Sequence, residues 1–194
     1  MAKLYFRYSA MNSGKTTALI QAAHNYEEKG MRVLILKPAI DSKGNAEVIS
    51  RLGVKRKADV LLLPNHSVPA LLKQHGQVDC ILIDEAQFLQ PIQVDDLFWY
   101  AVDRNVPVLA YGLRTDFLTN GFPGASRLLE LAHEVSELKT ICRCGKKALL
   151  NARKVNGHFV LEGNQVEIDD KANVEYEALC AEDYKKLVLL GQEA

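Results

Sequence analysis

Residues 9–16 run Ser9, Ala10, Met11, Asn12, Ser13, Gly14, Lys15, Thr16, fitting the pattern GxxxxGK(S/T) everywhere except its first position, where serine stands for glycine. Such a loop turns its backbone N–H groups inward and runs into a helix N-terminus, whose partial positive charge favours a polyphosphate. Gly14 lets the backbone approach the anion, Lys15 reaches the β and γ phosphates as a point charge, and the Thr16 hydroxyl binds the bridging Mg²⁺. Farther along, Cys80-Ile81-Leu82-Ile83-Asp84-Glu85 is an apolar run ending in two carboxylates. Asp84 is suited to hold the metal through its waters. Glu85 stands one residue closer to the γ phosphate, where a carboxylate can take the proton of an attacking hydroxyl. Each motif alone has an ordinary explanation: GKT recurs as a plain turn and helix start, and Asp-Glu as the polar exit of a strand. In one chain, with a strand before the loop and a helix after it, they point to ATP and Mg²⁺. A third group, Cys142 and Cys144 with Cys180 downstream, suits metal binding better than a disulfide framework in a chain of this size, while Cys80 is a buried strand thiol without evident chemistry.

These residues need elements to hold them. Residues 4–8 have the aromatic flavour of a strand, 16–29 are helical in character, Gly30 closes that helix, and 31–37 form a short apolar run of the kind a buried parallel strand shows. Further strands are expected at 58–63, 80–83 and 106–111, and helices at 68–75, 92–104 and 126–132. The alternation predicts an α/β fold: a phosphate-loop (RecA-like), mostly parallel sheet with helices on both faces. After Lys139 the character changes, and short strand-like pieces such as 158–161 follow the cysteines. We therefore expect an ATP-binding domain at 1–139 and a small second domain at 140–194. Residues 41–57 and 164–176 read as long polar loops, and loops of that length are uncommon unless they serve a function.

The chain's 194 residues, 48% hydrophobic, are enough to bury a core. Its 24 basic and 24 acidic residues cancel, which argues against a nucleic-acid partner or an anionic membrane surface. No apolar run approaches the roughly 18–20 residues a membrane helix needs, and the strand-like start is unlike a secretion signal, so the expected location is cytoplasmic. Two rivals to a kinase remain open on the residues alone. One is a phosphate-loop ATPase driving a conformational or assembly step, with Glu85 activating water. The other is a zinc-ribbon nucleic-acid binder, which the zero net charge disfavours.

The segment at 9–16, the run Leu82-Ile-Asp-Glu-Ala-Gln-Phe88, the run Tyr111-Gly-Leu-Arg-Thr-Asp-Phe117 and the run Glu137-Leu-Lys-Thr-Ile-Cys-Arg-Cys-Gly145 together resemble the type II thymidine kinases of bacteria over almost the whole chain. The resemblance implies transfer of the γ phosphate of ATP to the 5′ hydroxyl of thymidine or deoxyuridine in pyrimidine salvage. It also implies a homotetramer, feedback inhibition by dTTP, and a zinc-ribbon-like C-terminal domain carrying a lasso loop. It places Glu85 on the catalytic base, and residues 9–16 with Asp84, Glu85, Ala86 and Gln87 on the ATP-binding segments. Met11, Phe88, Leu113, Phe117 and Phe122 fall on the pocket for thymine and its sugar, a use that suits apolar side chains, although ordinary core packing explains the same residues. Ile168 and Tyr176 fall on the lasso, here residues 166–176. Cys180 and Asp183 join Cys142 and Cys144 as structural Zn²⁺ ligands, with Glu182 as an alternate donor.

The chain departs from the family pattern in two loops. The lasso carries Asp169-Asp170-Lys171-Ala172 where a Gly-Gly pair is usual, which removes backbone conformations open only to glycine. After Pro38, Asp41 is followed by Lys43 where the family has arginine, losing a bidentate fork toward phosphate that Arg51 could supply.

Overall fold

The computed structural model describes residues 1–39, 46–50, 52–163 and 173–192. Asp41, Lys43, Arg51, Ile168 and residues 169–172 lie outside the described residues.

The chain alternates strand and helix through β1 (Leu4–Ser9), α1 (Lys15–Glu27), β2 (Val33–Pro38), β3 (Glu47–Ile49), β4 (Lys55–Lys57), β5 (Val60–Leu62), α2 (Val68–His75), β6 (Cys80–Ile83), α3 (Pro91–Arg104), β7 (Val108–Leu113), α4 (Pro123–Leu131) and β8 (Glu134–Glu137). One six-stranded sheet takes the order β5-β2-β6-β7-β1-β8, and all its pairings are parallel. Burial on both faces explains the apolar runs. Leu4 and Phe6 of β1, Leu34 and Leu36 of β2, and Ile81 and Ile83 of β6 pack with α2, α3 and α4 on one face. The residues that alternate with them, Val33, Ile35, Cys80 and Leu82, pack with Leu19 and Ala23 of α1 on the other. The period of two along each strand thus sends alternate residues into two separate cores.

The expected α/β sheet with helices on both faces is present, with shifted ends. β7 runs two residues later than expected, because Ser9 at the end of β1 is in register with Leu113. α3 begins one residue earlier than expected, at Pro91, where proline fits the first turn and the Gln93 side chain accepts from the Gln90 N–H at 3.0 Å. Within the stretch read as a loop over 41–57, β3 and β4 form an antiparallel hairpin, with Val48 its buried residue in β3. Strands of three residues carry too little periodicity to be seen in sequence.

From Thr140 onward the strands are antiparallel: β9 (Thr140–Ile141) pairs β10 (Lys147–Ala148), and β11 (Leu150–Val155) lies between β12 (His158–Val160) and β13 (Val174–Leu179). A helical turn at Ala181–Asp183 runs into a wider helix at Tyr184–Leu189. These pieces gather around Ala148, Ala152, Leu179, Tyr184 and Val188, and Ala10 of the phosphate loop joins that core.

Candidate active site and metal centre

β1 delivers Ser9 and Ala10, both buried, to the C-terminal edge of the parallel sheet, where ligand crevices form. Asn12 (φ 64°) and Gly14 (φ 81°) take left-handed conformations, which curls the loop before α1 begins at Lys15. Lys15 Nζ donates to Ser9 Oγ at 3.0 Å and to the Ala10 carbonyl at 3.1 Å. Ser9 Oγ donates to that same carbonyl at 2.7 Å and is hydrogen-bonded to the Ser13 hydroxyl. The serine that replaces the motif's first glycine therefore braces the loop internally and helps to hold the lysine.

β6 delivers Asp84, 4% exposed, opposite Thr16, whose Oγ1 lies 3.5 Å from Asp84 Oδ1. Burial, reinforced by the charge of Glu85, pushes the Asp84 carboxyl up from 3.8 to about 6, against the pull of Lys37 and Lys15. A buried carboxyl facing a hydroxyl, beside a loop shaped for phosphate, suits a hard divalent cation with oxygen ligands. Next to it, Glu85 adopts φ 52°, ψ 41°, a left-handed conformation that costs a non-glycine residue about 1–3 kcal/mol and clusters at functional sites. Its carboxylate accepts a hydrogen bond from Gln87 Nε2 at 2.6 Å.

A cavity of about 750 Å³ joins these parts, bounded by the loop from Met11 to Thr16, by Glu85 and Leu113, by Tyr176 of β13 and by Ile49 and Leu52 beside the β3–β4 hairpin. The volume suits a small-molecule site with a few convergent polar groups.

In the C-terminal segment, the donor atoms of Cys142, Cys144, Cys180 and Asp183 all lie within 4.8 Å of one another. Cys142 Sγ is 3.1 Å from Asp183 Oδ2, and Cys144 Sγ is 3.6 Å from Cys180 Sγ, so the four converge without a disulfide. Three sulfurs and one oxygen at these separations match the edges of a small tetrahedral metal site.

A sequence model of the thymidine kinase family matches residues 2–184. The thymidine kinase of Ruegeria pomeroyi is 45% identical over 191 residues, 96% of this chain and 95% of that one. The chain belongs to the thymidine kinase family. The thymidine kinase of Enterobacteria phage T4 is 44% identical over 191 residues, 96% of this chain and 97% of its own, and that of Xanthomonas campestris pv. campestris is 46% identical over 198 residues, 97% and 91%. Family membership makes the chain a kinase, a phosphotransferase by class.

In this thymidine kinase family fold the expected site residues divide into groups. Met11, Leu113 and Tyr176 border the cavity beside Glu85. Phe117 and Phe122 are buried, at 2% and 4% exposure, and Phe122 meets Phe88 edge to face at 5.5 Å between centroids. Ala86 and Gln87 are buried beneath the Glu85 turn, and Gln87 spends its side chain on Glu85 and on the Leu113 N–H.

Two contributors went unnoticed in sequence. Asn151 of β11, 2% exposed, accepts from the Met11 N–H at 2.7 Å and donates to the Thr115 carbonyl at 2.9 Å, tying the C-terminal segment to both the phosphate loop and the loop after β7. Tyr184 fastens the same loop by donating to the Phe117 carbonyl at 2.7 Å. The one sequence signal for Asn151 was an amide inside a strand run, Leu149-Leu150-Asn151-Ala152, where burial demands a partner.

Proposed function

We propose that this chain transfers the γ phosphate of ATP to the 5′ hydroxyl of thymidine or deoxyuridine, yielding the nucleoside 5′-monophosphate and ADP. The observation that carries the reading is that one cavity has the phosphate loop, Glu85, and the apolar side chains of Met11 and Leu113 on its wall. A triphosphate lying along residues 9–16 directs its terminal group toward Glu85, and the apolar walls accept a flat pyrimidine. The 5′ oxygen attacks phosphorus in line while its proton passes to the Glu85 carboxylate. The bond from the γ phosphorus to the β–γ bridging oxygen breaks, and its electron pair leaves with ADP. Lys15 neutralises charge on the β and γ phosphates. Mg²⁺ held by Thr16 and Asp84 supplies further neutralisation when bound.

The catalytic work belongs to residues 1–139. Residues 140–194, which Zn²⁺ would pin on Cys142, Cys144, Cys180 and Asp183, complete the base pocket through Tyr176. Three sulfur donors favour zinc over hard cations at that centre. The family resemblance further supports a cytoplasmic homotetramer inhibited by dTTP, and no described helix is long and apolar enough to cross a membrane.

The deciding assay incubates ATP and Mg²⁺ with each common deoxynucleoside, using the wild type and Glu85→Gln. Thymidine and deoxyuridine are expected to be phosphorylated, with kcat falling roughly 10²–10⁴-fold in the variant. ADP release at the same rate without any nucleoside would instead identify an ATPase.

A further inference from the structure

We propose that Gln87 is a positioning residue for the reaction: its amide holds the Glu85 carboxylate in place and sets its distance from the end of β7, and it does not touch ATP. The inference rests on the reading in which Glu85 takes the proton.

Gln87 is 1% exposed, and both ends of its amide are committed. Nε2 donates to Glu85 Oε2 at 2.6 Å, and Oε1 accepts from the Leu113 N–H at 3.0 Å. That orientation is the one chemistry allows, since a carboxylate only accepts and a backbone N–H only donates. The cavity wall includes Glu85 and Leu113, the two partners, but not Gln87 itself. The amide therefore lies behind the wall and bridges the proton acceptor to a residue on the apolar side of the pocket.

The surroundings are built to admit it. A Cβ on Gly112 would lie 2.8 Å from Gln87 Oε1 and 3.0 Å from the Gln87 nitrogen. A Cβ on Gly124 at the start of α4 would lie 2.9 Å from the Gln87 carbonyl oxygen and 3.0 Å from that of Ala86, and closer still to that of Leu89. Glycines in β7 and α4 thus leave room for the 86–89 turn to press against both elements. Glu85 meanwhile sits in a left-handed conformation that its own side chain does not favour, so its aim needs external support.

The test is a double-mutant cycle with Glu85→Gln, using Gln87→Met, which keeps the volume but neither hydrogen bond, and Gln87→Glu, which keeps an acceptor for the Leu113 N–H but replaces the amide donor with a second carboxyl that must share a proton with Glu85. If Gln87→Met does not fold, Gln87→Glu carries the cycle alone. Each Gln87 variant should lower kcat roughly 10- to 100-fold, the scale of a misplaced reacting group. KM for thymidine and the Kd for ATP, read by calorimetry, should stay within about twofold. In the Glu85→Gln background the same substitutions should cost less than about a further twofold, because the residue they act through is already disabled. Full additivity in the cycle, or weakened ATP binding with kcat unchanged, would overturn the proposal while leaving Glu85 as the proton acceptor. Wild-type turnover in Glu85→Gln alone would overturn the reading of Glu85 on which it rests.

Discussion

Asp84 shows how a single residue carries the conflict between binding and stability. Burial, and then the charge of Glu85, pushes its carboxyl up from 3.8 to about 6, so the fold favours the protonated form more than the unfolded chain does. The contribution of this one group to stability is then full below pH 3.8 and is lost as pH rises through about 6, since ionisation in the folded state must overcome desolvation. A rise from 3.8 to about 6 corresponds to roughly 3 kcal/mol. Asp84→Asn should therefore raise the melting temperature of the metal-free protein at pH 7 by on the order of 5–10 °C, and the gain should vanish near pH 4. Thermal melts across that range check it, and an unchanged melting point at pH 7 would show the carboxyl to be solvated. The same variant should lose Mg²⁺-dependent turnover, because an amide cannot replace a carboxylate's charge toward the cation.

At the scale of elements, the site depends on how closely α4 and β7 approach the 86–89 turn. Gly124→Ala places a methyl group against three carbonyl oxygens of that turn, and backbone cannot step aside as a flexible side chain would. We expect a loss of about 1–3 kcal/mol, typical of overpacking, together with a fall in kcat as the turn carrying Glu85 shifts. Denaturant melts and steady-state kinetics on the same preparation check both, and a neutral result in each would mean that α4 yields without moving the turn. The Phe88–Phe122 edge-to-face contact belongs to the same junction and joins the turn to the residue preceding α4.

At the scale of the whole molecule, the C-terminal segment holds the phosphate loop through the Asn151 side chain, through the Tyr176 carbonyl that accepts from Asn12 Nδ2 at 3.4 Å, and through the core that Ala10 joins. Asn151→Leu fills similar space but deprives the Met11 N–H and the Thr115 carbonyl of their partner, which should cost about 2 kcal/mol and raise the KM for thymidine more than that for ATP. Kinetics with each substrate varied in turn would reveal the asymmetry, and equal rises would refute it. Asn151 is in register with Ala178 of β13, just before Cys180 of the cysteine cluster, so removing a metal held there should loosen the same side of the cavity. Chelation is expected to release about one zinc per chain and to lower the melting temperature by on the order of 5–10 °C, restored by added Zn²⁺. Metal analysis showing none in freshly purified protein, with no response to Zn²⁺, would refute the site.

Sequence alone determined the parts whose chemistry is local. A loop that cradles phosphate must have glycine, lysine and threonine at fixed offsets, and an apolar strand closing on Asp84-Glu85 reads from composition and order. The parallel sheet was legible because strands buried on both faces leave continuous apolar runs. Tertiary structure alone decided where buried amides end their hydrogen bonds. Gln87 reads as part of a nucleotide motif until its two ends are seen on Glu85 and Leu113, and Asn151 as a strand residue until its partners arrive from loops 140 and 36 residues away. A buried amide must be satisfied, but its sequence neighbours do not say by whom, because the partners are brought together only when the sheet and the C-terminal strands pack.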